Sequence, residues 1–108
     1  MGGHAGPDPD PGVLTFRSPL WRWSAQDAWR FVTVPVEVAD LIRYASGPPR
    51  GFGSVRVEAT VGATTWRTSV FPDHREGTFA LPVKRAVREA EDLLDGDLVD
   101  VTLRLLVE

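Results

Sequence analysis

Two stretches of strict alternation constrain this chain more than any other feature. Val55, Val57, Ala59 and Val61 alternate with Arg56, Glu58 and Thr60, and Val99, Val101, Leu103, Leu105 and Val107 share one face of the closing segment from Asp97 to Val107. A period of two places successive side chains on opposite faces of a pleated strand, so each run specifies a sheet with one buried face. The five apolar positions of the last run predict a central strand. Further strands follow the same rule. Leu14 and Phe16 alternate with Thr15 and Arg17 until Pro19, which is expected to interrupt the run before Trp21 and Trp23 resume it. A turn over Ser24 to Asp27 leads to Trp29–Val34 as the hairpin partner. After a turn at Gly62-Ala63, Thr64 to Phe71 directs Trp66, Thr68 and Val70 to one side and Arg67, Ser69 and Phe71 to the other. Thr78 to Leu81 forms a short strand after a loop from Pro72 to Gly77.

Two helices interrupt this pattern. Pro35 suits the first helical position, and Val38, Leu41, Ile42 and Ala45 follow at helical spacing before Gly47-Pro48-Pro49 stops the element. Its charges obey the helix dipole, with Glu37 and Asp40 early and Arg43 late. The second helix, read from Leu81 to Gly96 with a stripe of Val83, Ala86, Val87, Ala90 and Leu94 and with Gly96 as its C-cap, reverses that order. Lys84, Arg85 and Arg88 come first and Glu91, Asp92 and Asp95 last. Opposing the dipole costs an exposed helix roughly 0.3–1 kcal/mol per charge, so the basic end is expected to serve something outside the helix. A weak echo, Val34-Pro35-Val36 and Leu81-Pro82-Val83, suggests two strand-then-helix halves closing into one barrel. The reading is therefore a mainly β domain with two helices in a small closed barrel, spanning residues 13–108 behind a disordered Gly/Pro-rich tail of residues 1–12.

Composition bounds the chemistry. Cysteine is absent, which removes disulfides, thiolate catalysis and Cys-containing zinc sites. With no secretory leader or long apolar run, the expected location is cytoplasmic, with no membrane partner. The formal net charge is −3; of fifteen acids two, Asp8 and Asp10, lie in the tail, leaving thirteen against twelve bases in the domain. Such balance makes nucleic acid an unfavoured partner. Eleven of the twelve bases are arginine, so the single lysine, Lys84, stands apart as a compact, titratable ammonium.

Lys84 and Arg88, four residues apart on one helical face, form a candidate anion clamp at the start of the second helix. The plain alternative is a pair of salt bridges to the barrel. Arg67 and Ser69 could present a guanidinium and a hydroxyl to the same anion, or simply cover the solvent side of a sheet. Trp66, like Trp21, Trp23 and Trp29, is expected to pack, with one tryptophan able to wall a pocket. Gly51 and Gly53 lack the third glycine and the following helix of a phosphate loop. His74 lacks metal-ligand spacing, and no cofactor is implied.

Leu20-Trp21-Arg22-Trp23, Ala28-Trp29-Arg30-Phe31-Val32, Gly51-Phe52-Gly53-Ser54-Val55, Trp66-Arg67-Thr68-Ser69-Val70-Phe71-Pro72, Leu81-Pro82-Val83-Lys84 with Ala86-Val87-Arg88, and Gly96-Asp97 together resemble a bacterial family of domains of unknown function, number nineteen-oh-five. The resemblance covers Val13 to Val107. It implies a double-split β-barrel, related in architecture to the AbrB and MazE nucleic-acid-binding barrels. Some relatives carry an added YdeI or OmpD-associated-like domain, and this chain resembles the stand-alone form. The family assigns no activity. The expected function is binding of a small anionic ligand near the start of the second helix, through Lys84, Arg88, Arg67, Ser69 and Trp66. The alternatives are a nucleic-acid-binding or regulatory barrel, by fold analogy, and an enzyme using Lys84 in the same pocket. A sheet edge could also pair in a homodimer, as in the related barrels.

Overall fold

The computed structural model describes residues 12–24, 29–47 and 53–106. Within them six strands and two helices follow the order β1 (Val13–Arg22), β2 (Arg30–Thr33), α1 (Val36–Ser46), β3 (Val55–Val61), β4 (Thr64–Asp73), β5 (Thr78–Pro82), α2 (Arg85–Ala90) and β6 (Leu98–Leu105). Residues 1–11 of the expected tail, the centre of the first turn, the Pro48-Pro49 stop, Gly51 and Val107 lie outside the described residues.

Because strands such as β3 and β6 have one apolar face, the sheet must either bury that face against another layer or close on itself. It closes, in the order β1-β2-β5-β4-β3-β6, with every neighbouring pair antiparallel. Closure gives every strand a partner on both sides. The alternating residues Val57, Ala59, Val99, Val101 and Leu103 are buried inside with Leu20, Val32, Val70 and Leu81, and β6 lies between β1 and β3 as its pattern predicts. Two halves of identical order, β-β-α-β, make the ring: β1 and β4 occupy corresponding places, as do β2 and β5, α1 and α2, and β3 and β6. This arrangement is consistent with a double-split barrel.

The sequence echo is displaced from the true correspondence. Val34 donates to Phe79 O and Val83 donates to Arg30 O, so Val34 and Val83 match across the β2–β5 pair. One residue later Pro35 and Lys84 are the N-caps of their helices. Pro82 is not the counterpart of Pro35; it closes β5 opposite Phe31.

Pro19 does not interrupt β1. The Leu20 N–H donates to Asp97 O on the β6 side, so the Pro19 nitrogen faces the other way, toward β2, one position before that ladder begins at Leu20↔Val32. A residue without an N–H is tolerated there because no bond is due.

Both helices differ from expectation. On α1 the buried residues are Ala39 and Ile42, while Leu41 and Ala45 of the expected stripe are exposed; the stripe is rotated because the short helix packs on the barrel through a narrow contact. Its end at Gly47, φ 74°, is as expected. The second helix spans six residues, not sixteen. It stops at Ala90 in a Schellman arrangement, with Asp92 at φ 54°, Asp92 N–H donating to Glu89 O and Leu93 N–H to Arg88 O at 2.8 Å. Leu93 rather than Leu94 packs on the core, and Gly96 caps no helix but donates to Leu20 O. Glu91, Asp92 and Asp95 therefore lie beyond the helix, and Arg88 occupies its last turn, where the dipole favours a cation. Of the reversed charge order the helix keeps only its start, Lys84 at the N-cap and Arg85 after it with no acid in the first turn. Glu91 instead accepts a hydrogen bond from Thr64 Oγ1 at 2.7 Å, tying the end of α2 to the β3–β4 hairpin.

Candidate functional site

The β4–β5 ladder begins at Asp73↔Thr78 and ends at Phe71↔Ala80, after which Leu81 and Pro82 pair only with β2. The first residues of β4 thus part from β5, and a cleft of about 700 Å3 opens between them, beneath the start of α2. Trp66, Arg67 and Thr68 line it from β4, Trp29 and Arg30 from the start of β2, and Pro82, Val83, Lys84, Arg85 and Arg88 from the end of β5 and α2.

Four of the five residues singled out in the sequence meet here: Lys84, Arg88, Arg67 and Trp66. Ser69 does not; it is buried farther along β4 and is absent from the lining. Arg30, Arg85, Thr68 and Trp29 are the additions. Arg85 was visible in the basic run, whereas Arg30 reaches the cleft only because β2 pairs with β5, a contact between segments some fifty residues apart that local pattern does not encode.

Five cations therefore line one cleft, and the lining includes no carboxylate and no imidazole among the described residues. Two of the five are matched by acids just outside it: Arg30 Nε lies 2.7 Å from Asp95 Oδ1 and Arg85 Nε 3.1 Å from Glu89 Oε2. Burial, with the like charge of Arg30 behind it, pushes the Arg88 guanidinium below its ordinary value, and Asp95 partly offsets this. An arginine starts so far above neutrality that Arg88 remains a cation. Lys84 and Arg67 are exposed and make no ion pair among the described residues. For Lys84 the salt-bridge alternative is thus not what the structure shows. Lys84 and Arg88 remain one helical turn apart, with the Arg88 N–H donating to Lys84 O.

The aromatic wall is ordered by its own packing. Trp21 Nε1 donates to Thr33 Oγ1 at 2.9 Å, Trp21 and Phe31 have ring centroids 5.1 Å apart, and Trp29 stacks on Phe31 at 5.8 Å with 15° between planes. Trp66 is buried, while Trp29 is 47% exposed.

Fold and site define a class: a closed six-stranded barrel of two β-β-α-β halves with a basic, tryptophan-walled cleft at one split. The chain belongs to the family described as Domain of unknown function (DUF1905), which matches residues 16–103, from β1 into β6 and across every residue of the cleft. No curated protein matches it. No helix among the described residues is long and apolar enough to cross a membrane.

Proposed function

We propose that this domain binds a small anionic molecule in the cleft between β4, β5 and α2. The observation that carries the reading is the convergence of five cations in one concave site on a chain of net charge −3, two of them, Lys84 and Arg67, without an ion pair among the described residues. Lys84 and Arg67 sit among like charges with no acid of their own among the described residues, and an anion relieves that repulsion while gaining charge-assisted hydrogen bonds. α2 has only six residues, so side chains rather than its weak dipole supply most of the attraction. Binding is favoured over catalysis because, among the described residues, the lining holds no acid or imidazole to move a proton. The acidic net charge keeps nucleic acid in second place.

The test is thermal unfolding at constant ionic strength, with chloride replaced by phosphate, sulfate or citrate. A ligand at a hundred times its Kd adds about 2.7 kcal/mol, and about 1 kcal/mol moves Tm by roughly 4–8 °C in a domain this size. We expect a rise with at least one multivalent anion, and its loss in Lys84→Ala with the ligand-free Tm unchanged. A flat response to every anion would sink the reading.

A further inference from the structure

Trp29 is the feature of the cleft that anion binding leaves unused. It closes a column of three rings, Trp21, Phe31 and Trp29, and its plane lies within 15° of the Phe31 ring that supports it. Yet nearly half of the residue is open to solvent, and it lines the cleft together with the apolar Pro82 and Val83. A flat indole stacked on Phe31 and still half exposed is a ready stacking surface. A volume of about 700 Å3 also far exceeds what an inorganic ion fills, and lies within the range of sites that hold drug-sized molecules.

We propose that the ligand is an aromatic phosphomonoester of nucleotide size, with its ring stacked on Trp29 and its phosphate held by Lys84 and Arg67; the proposal rests on the anion-binding reading above. A phosphomonoester carries a charge of about −1.5 to −2 at pH 7, which matches the two cations that have no ion pair among the described residues. A guanidinium presents paired donors to phosphate oxygens, and a compact ammonium complements it as a point charge. Stacking is tolerant of ring identity, so the structure assigns a chemical class and not a particular base.

The experiment is calorimetric titration of the full chain with the nucleoside 5′-monophosphates, ribose 5-phosphate and a single-stranded oligonucleotide. At least one mononucleotide should bind about five- to 150-fold tighter than ribose 5-phosphate, the range expected for one stacked base. Trp29→Ala should erase that difference and leave ribose 5-phosphate binding intact; Trp29→Phe should keep most of it. An unchanged Tm in both variants separates loss of the ring contact from loss of the fold. Equal binding of mononucleotides and ribose 5-phosphate would overturn the stacking proposal and leave anion binding standing. No binding of any phosphate would overturn both. An oligonucleotide binding far tighter than any mononucleotide, with steep salt dependence, would overturn the small-molecule proposal in favour of nucleic acid.

Discussion

The two halves of the barrel share one chain path, and they differ in what they do with their cations. On β1, Arg17 faces Asp100 of β6 and is tied to it by bonds of 2.7 and 3.1 Å. At the corresponding place on β4, Arg67 faces Glu58 of β3, but Glu58 also faces Arg104 of β6 and lies 3.9 Å from it. Arg67 is left to the cleft. The helices repeat the contrast. Arg43 on α1 is held by Asp40, by Gly77 O and by the ring of Phe79, 5.3 Å away. The N-cap of α1 is Pro35, with no charge to offer, while the N-cap of α2 is Lys84. One frame thus has a closed half and an open half, and the open half carries the candidate site.

The largest test concerns how firmly each helix is anchored. Ile42 on α1 and Val87 on α2 are both buried, and Val87 is the only buried residue of its helix. Ile42→Ala should cost about 2–5 kcal/mol. Val87→Ala removes two methyl groups and should cost about 1.5–3 kcal/mol, because the shorter α2 shares its anchoring with Leu93 and the Glu91–Thr64 bond. Urea unfolding measures both. A larger loss at Val87 would mean that the open half is the more tightly built one.

The next test exchanges the two N-caps in effect. Lys84 has φ −69° and ψ 160°, close to the −59° and 149° of Pro35, and both lie in the range proline adopts. The corresponding position in the other half already does without an N–H. Lys84→Pro should therefore leave the fold intact, with stability unchanged or raised by about 0.4–1 kcal/mol. Anion affinity should fall about ten- to a hundredfold, since a hydrogen bond to a charged group contributes roughly 1.5–3 kcal/mol. Unchanged affinity would remove Lys84 from the site.

A smaller effect is expected from Arg104→Gln. With Arg104 gone, Glu58 keeps one cationic neighbour across the sheet, Arg67, and an exposed pair of that kind forms with about 0.2–1 kcal/mol. Anion affinity should drop about two- to fivefold in calorimetric titration and return when Glu58→Gln is added. If the double variant binds no better than the single one, Arg104 does not keep Arg67 available.

Much of this was legible in the sequence and the rest was not, for identifiable reasons. Alternation marked β1, β3, β4 and β6 and most of the buried set of β3 and β6, because a two-residue period is local. Ring closure followed from strands with one apolar face and no second layer. The end of α1 held, but that of α2 failed: an aspartate, Asp92, takes the left-handed position after the C-cap usually given to glycine, so Gly96 misled, and the long stripe to Leu94 dissolved into a loop. The site was half visible. Lys84 and Arg88 stood out by a charge order opposed to the helix dipole, but in a helix that ends at Ala90 only Lys84 and Arg85 oppose it, and Arg88 does not. The basic run was right because a sheet split places it over Arg67, and Arg30 arrives through a strand pairing no local pattern reports.

The smallest effect expected is in acid, and it tests the closed half. The hydrogen bond from Arg17, and then its charge, hold the Asp100 carboxyl below its usual value, while the same pair raises the already high Arg17 value. A carboxyl whose folded value lies below its unfolded value, near 3.9, adds stability above the unfolded value and loses it as pH falls through the folded one. The contribution is therefore complete near neutrality and disappears below about pH 4; the Arg17 shift lies too far into base to matter. Both side chains are largely exposed, so salt should weaken the effect. NMR titration should place the Asp100 midpoint below the ordinary aspartate range at low salt, and Arg17→Gln should return it there. An ordinary midpoint in the native protein would mean that Arg17 is no more tied down than Arg67, and the contrast between a closed and an open half would then rest on the N-caps and helices alone.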